Sequence, residues 1–267
     1  MKKTVPLILF FALFLCTPVI FLAQSPYHCS WDKDSYILGS GAATAAVGLY
    51  FYTSISSPTT GEINQLSRDN VNQFDRSATF HYSEPAATAS DVLFGIAAAA
   101  PFVLLTDQAM GNDWRTITLM YIETWSFIGG TSMLSKGLTE RFRPYAFNPN
   151  VPMDNKLTRD AKTSFFSNHT TTAFASAVFL STVYGDYNPN SEWKSVLWAG
   201  SLLAASVVGY LRYEAGEHYP TDILAGAVAG SAIGYAIPWM HRTNKESISI
   251  TLGVPHVDYG FSVQLKL

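Results

Sequence analysis

Three short segments of this chain hold side chains that could work together on an anion. KGLTERFRP carries Lys136 and Arg143, and FFSNHTTT carries Ser167, Asn168 and His169. RYEAGEHYPTD carries Arg212, His218 and Asp222. Arginine offers a forked set of donors and lysine a point charge, a combination suited to a tetrahedral oxyanion such as phosphate. Asp222 lies four residues after His218, within one helical turn, so its carboxylate could hold that imidazole in one tautomer. An oriented imidazole is a candidate nucleophile towards phosphorus. His169, on a different segment, could protonate the departing oxygen as a general acid. No carboxylate cluster or Cys/His spacing points to a bound metal, so neither metal nor cofactor is expected, and the basic groups would neutralise the phosphate themselves.

Each segment alone also has a plainer reading. Ser167 or Asn168 could simply cap a helix. Lys136, Arg141 and Arg143 could complement a helix C-terminus. Glu214, Glu217 and Asp222 near Arg212 could form a surface charge network. His241 and His256 have no comparable company and read as structural or surface residues.

The segments acquire meaning from the elements that must position them. Apolar stretches at about 38–53, 92–106, 116–135, 171–184, 195–211 and 223–240 alternate with loops rich in Pro, Asn, Gly and Asp. They lack strand-like alternation and are rich in Ala, Gly, Ser and aromatic residues, which predicts helices packed closely through small side chains. If consecutive helices run up and down, the third ends, the fourth begins, the fifth ends and the sixth begins at one end of the bundle. All three segments sit at those junctions, and Pro220 suits the first turn of the sixth helix.

Hydrophobic residues make up 48% of the 267 and charged residues 14%. That charged share is well below the roughly 25% usual in soluble domains, so much of the chain must avoid water. The net charge of −3 comes with no basic stripe, which argues against a nucleic-acid partner. Two lysines followed by an apolar run from Val5 to about Ala23 have the layout of a secretory signal or an uncleaved anchor. Cleavage after Ala23 would leave Cys29 without an internal partner, so no disulfide is expected. From Ile248 to Leu267 apolar residues recur at every second position around the turn PHVDYG, which predicts a β-hairpin. The domain reading is therefore 1–23 signal or anchor, 24–246 helical domain and 247–267 hairpin.

Together these blocks resemble the signature of the superfamily of type 2 phosphatidic acid phosphatases, bacterial class A acid phosphatases and vanadium haloperoxidases. KGLTERFRP matches the pattern Lys, six residues, Arg-Pro. RYEAGEHYPTD keeps the Arg, His and Asp spacing of the last block. FSNH stands for Pro-Ser-Gly-His, with Phe166 and Asn168 replacing proline and glycine, and Leu211 replaces the serine before the arginine. The resemblance implies an all-α, six-helix bundle of the acid phosphatase/haloperoxidase type, here followed by the C-terminal β-hairpin. It implies phosphate binding by Lys136, Arg143, Arg212, Ser167 and the backbone N–H of Asn168. His218 would attack, Asp222 would orient it, and His169 would protonate the leaving group and then activate water.

The expected function is metal-independent hydrolysis of a lipid-linked phosphate or pyrophosphate monoester. The alternatives are a soluble periplasmic acid phosphatase, a vanadium haloperoxidase and a catalytically weak phospholipid-binding envelope protein. The expected setting is a bacterial cell envelope, membrane-associated, with the active site facing the periplasm. The sequence leaves the oligomeric state open.

Overall fold

The computed structural model describes residues 25–243, so the expected signal and hairpin lie outside the described residues. The described residues are helical, as expected for an all-α chain. Numbering the long helices only, α1 is Trp31–Ser54, α2 is Glu84–Ala99 with a 3-10 continuation over Ala100–Thr106, and α3 is Trp114–Thr139. Next come α4, Asn168–Tyr187, α5, Trp193–Glu214, and α6, Pro220–His241. Each of the six apolar stretches falls inside one of these helices or its continuation. Short helical turns fill the connections, among them Gln73–Arg76 and Arg159–Lys162.

Local chemistry sets the ends. Ser83 and Ser167 cap α2 and α4, accepting from the N–H groups of Ala86 and Thr170. Pro220 opens α6, where a missing N–H leaves no helical bond unmade. Glu140 closes α3 in the left-handed region, at φ 41°.

The packing is built around α4, which touches α2, α3, α5 and α6, while α1 lies along α3. Close approach comes from missing side chains. A Cβ on Gly230 would stand 2.2 Å from the Thr171 carbonyl oxygen, and one on Gly234 2.3 Å from that of Ala175. Glycine one helical turn apart thus sets the α4–α6 separation. Met120, Tyr121, Phe179, Val183 and Ile237 pack into one apolar core. Elsewhere the pattern inverts: α4 buries Thr170, Thr171, Thr172, Ser176, Ser181 and Thr182. The outer faces of α2, α5 and α6 instead expose Ile96, Val103, Leu203, Tyr210, Leu224 and Val228. Three segments, Glu84–Thr106, Trp193–Glu214 and Pro220–His241, are long and apolar enough to cross a membrane.

Candidate functional site

The end of α3, the start of α4, the end of α5 and the start of α6 meet at one end of the helices, and the loops bind them together. Arg143 N–H donates to Ala161 O at 2.8 Å, Ser164 N–H to Arg141 O at 3.0 Å and Ser167 N–H to Asp222 O at 3.2 Å. Ser135 Oγ donates to Phe165 O at 3.1 Å, so the turn carrying Lys136 lies beside the entry to α4. Between α5 and α6 the chain reverses at Gly216, whose φ of 71° favours glycine. A Cβ there would meet His81 O at 2.2 Å. The turn delivers Glu217 and His218 to the site.

His218 is 1% exposed. Its Nδ1 lies 2.7 Å from Ser164 O, an acceptor only, so Nδ1–H donates and Nε2 keeps its lone pair. Asp222 stands 3.7 Å from the same nitrogen, beyond hydrogen-bond reach. Its carboxylate instead accepts from Ser164 Oγ at 2.5 Å and from Tyr219 N–H at 3.0 Å. Asp222 therefore fixes the residue that fixes His218. Arg141 donates to Asp222 at 2.5 Å and to Asp75 at 2.7 Å, joining the helix start to the loop before α2.

The cations surround the imidazole. Burial pushes the His218 pKa well below its ordinary value, and Arg143, Arg212 and Lys136 push it the same way. Arg143, itself buried, donates to Asp160 Oδ1 at 2.7 Å and to Thr163 Oγ1 at 3.2 Å. Glu217 bridges the two arginines, pairing with Arg143 and, at 3.2 Å, with Arg212. Arg212 also reaches Ser90 Oγ at 3.2 Å, yet its buried Nε has no partner among the described residues. Lys136 has no hydrogen bond or ion pair among the described residues; burial, then repulsion from Arg143, lowers its pKa to about 8. An unpaired ammonium and an orphaned guanidinium N–H beside a neutral imidazole are groups that an oxyanion would satisfy.

His169 sits in the first turn of α4, its ring 4.7 Å from that of Phe94 and its Nε2 2.8 Å from Asp91 Oδ1. Burial, then the Arg212 charge, lowers its pKa to about 4. A bound dianion would counter the arginine field and restore the proton that a general acid needs. Ser167 caps α4, its Oγ accepting from Thr170 N–H at 3.3 Å and Thr170 Oγ1–H at 2.9 Å. Asn168 is the first helical residue, and Glu140 alone among the described non-glycine residues has positive φ. The backbone at 168 therefore has no need of glycine's conformational freedom.

All eight residues singled out by sequence thus gather at this end. Of the surface network considered around Arg212, Glu217 alone pairs with it; Glu214 pairs with His81 and Asp222 with Arg141. Sequence reasoning missed Ser164, Asp91, Asp160 and Asp75. Ser164 acts on His218 through its backbone carbonyl, which leaves no mark in residue type. Asp91 did leave a signal, as a lone carboxylate at the edge of an apolar stretch. His241, read as structural or surface, is buried among acidic groups at the other end of α6.

Comparison with known proteins agrees with the motif. Over 92 residues the chain is 35% identical to "Probable diacylglycerol pyrophosphate phosphatase 1" of Schizosaccharomyces pombe, an alignment covering 33% of each protein. The chain thus spans about a third of the length of that curated relative. A solved structure, the transmembrane PAP2 type phosphatidylglycerolphosphate phosphatase from Bacillus subtilis, aligns over 78% of this chain and 91% of its own. The identity there is 17% and the TM-score 0.38. The family described as PAP2 superfamily matches residues 115–246, which hold all three motif blocks. From the start of α3 to just beyond α6, this chain belongs to the PAP2 superfamily.

Proposed function

We propose that the protein is a membrane-associated phosphatase that hydrolyses a lipid-linked phosphate or pyrophosphate monoester through a phosphohistidine at His218. The observation that carries this reading is the Nε2 lone pair of a buried, neutral His218 held among Lys136, Arg143 and Arg212. Phosphate would dock on those three cations and on the start of α4, where Ser167 Oγ and the Asn168 N–H lie. His218 Nε2 forms a bond to phosphorus as the bond to the leaving oxygen breaks, and His169 supplies that oxygen with a proton. His169 then takes a proton from water as water displaces the imidazole, releasing phosphate and restoring the enzyme. Asp222 is a positioning residue that works through Ser164.

A lipid substrate is supported by the surroundings. A cleft of about 580 Å³ runs between α2, α4 and α5 and is lined by Leu93, Ala97, Ala173, Leu197 and Val208. Ala173 is one helical turn beyond His169 and Val208 one turn before Arg212, so the cleft begins beside the phosphate site. An acyl or prenyl chain could lie there with its headgroup among the cations. Export to the envelope with an outward-facing site is part of the proposal. It rests on the amino-terminal layout.

The test is phosphate release by detergent-solubilised protein from a lipid phosphate and from a soluble phosphomonoester, with chelator present, for wild type and His218→Ala. The expected result is release from the lipid and none from the variant. Equal turnover of both substrates would remove the lipid assignment, and full activity in the variant would overturn the mechanism. Lipid binding without turnover would leave a binding protein.

A further inference from the structure

Helix α6 carries a second cluster of chemical groups at its far end, about 30 Å from His218 by helix length. His241, its last residue, is fully buried. Nδ1 lies 2.8 Å from Ile237 O, so Nδ1–H donates there and Nε2 presents a lone pair. That lone pair faces two carboxylates, Asp34 Oδ1 at 3.2 Å and Glu123 Oε2 at 3.2 Å. Glu123 is 0% exposed, and among the described residues neither of its oxygens has a hydrogen-bond partner. Ligand atoms of Cys29, Asp34 and His241 all lie within 4.8 Å of one another. Lys33 Nζ is 4.0 Å from Asp34 but spends its hydrogen bonds on the carbonyls of His28 and Met240.

Acceptors aimed at acceptors in a buried space repel unless a proton or a cation lies between them. Burial, then the Asp34 charge, raises the Glu123 pKa to about 8, so in the metal-free protein its carboxyl proton can sit there. A doubly protonated His241 answers this only in part, since a single Nε2–H cannot serve both Asp34 and Glu123 and would leave a buried carboxylate oxygen unmatched. A cation serves all of them. The Nδ1–H bond to a backbone carbonyl is also the arrangement that holds a ligating histidine in the right tautomer. Thiolate, imidazole and two carboxylates are the donors of a zinc-class ion, whereas magnesium and calcium take oxygen. Zn–N and Zn–O bonds of about 2.0 Å at tetrahedral angles put the two ligand atoms roughly 3.3 Å apart, close to the spacings found here.

We propose that Cys29, Asp34, Glu123 and His241 bind one divalent transition-metal ion of the zinc class. Binding releases to solvent the Cys29 thiol proton and the proton that burial holds on Glu123. The ion would tie the chain before α1 and the start of α1 to the middle of α3 and the end of α6. It takes no part in phosphate chemistry, so the proposal stands independently of the catalytic reading.

The experiment is titration of reduced, full-length, detergent-solubilised protein with CoCl2, followed by ZnCl2. One equivalent of cobalt should give visible bands of tetrahedral intensity and a near-ultraviolet sulfur-to-cobalt charge-transfer band, both abolished by zinc. Cys29→Ser should lose the charge-transfer band and bind cobalt at least about tenfold more weakly. Glu123→Gln should weaken binding while retaining that band, and His218→Ala should bind as wild type does. Zinc should also raise the wild-type Tm, a readout that needs no variant to fold. Absence of saturable cobalt binding by the wild type, or a charge-transfer band that survives Cys29→Ser, would overturn the proposal.

Discussion

Replacing Asp222 with asparagine separates direct from indirect control of His218. The change keeps shape but removes a charge that is 0% exposed and accepts from Ser164, Tyr219 and Arg141. An amide can present its oxygen to some of these donors but must turn its NH2 towards another. Removing one partner of a buried ion pair costs about 3–5 kcal/mol. Arg141 keeps Asp75 and its side chain is 26% exposed, which places the expected loss near the lower end, about 3 kcal/mol. For a chain of this size that is a fall in Tm of roughly 6–12 °C. Catalysis should suffer less than in triads where the carboxylate itself holds the imidazole, a loss of about 10⁴-fold. Here Ser164 O still holds Nδ1, so a loss of about 10- to 100-fold is expected, the range of outer-shell changes. The assay pairs kcat/KM on a lipid phosphate with thermal unfolding. An unchanged Tm together with a 10⁴-fold loss of kcat would show that Asp222 acts on His218 directly and refute the relay through Ser164.

Gly230→Ala should push α6 away from α4, since the added methyl would stand 2.2 Å from Thr171 O, and should cost about 1–3 kcal/mol in thermal unfolding. Gly200→Ala on α5, which meets nothing within 4 Å, should instead be neutral or stabilising by up to about 1 kcal/mol. Asn168→Gly should change kcat/KM by less than about threefold, because that position has no positive φ to relieve; a tenfold gain would show that the asparagine side chain obstructs phosphate. Unfolded histidine takes up its proton near pH 6.5, whereas folded His169 does so at about 4. Stability is therefore full above pH 6.5 and falls as the pH drops towards 4, by at most about 1.4 kcal/mol per unit from this residue. Denaturant melts at pH 7.5 and pH 5 should show the fall, and His169→Gln should lessen it without abolishing it, because buried His218 contributes in the same direction.

Much of this molecule was legible because its signals are local. Apolar stretches without alternation marked the helices, and Ser167 and Pro220 marked two helix starts. The three motif blocks could be placed at one end because helix direction alternates. What escaped depends on contacts between distant parts of the chain. Ser164 reaches His218 through a backbone carbonyl, an interaction independent of side-chain type. The pairing of Asp91 with His169 spans 78 positions and becomes visible only when α2 is laid against α4. Glu123 lies inside the apolar stretch 116–135, and its meaning comes from Asp34 and His241, on two other helices.

His218 is the proposed nucleophile, and trapping the intermediate tests that role most directly. Wild-type protein would be mixed with a lipid phosphate carrying radiolabelled phosphorus, quenched rapidly in alkali and digested for mass spectrometry. The expected result is protein-bound label that survives alkali, is lost in acid and maps to His218, with none on His218→Gln. Label on another residue, or turnover by the His218→Gln variant at the wild-type rate, would contradict it.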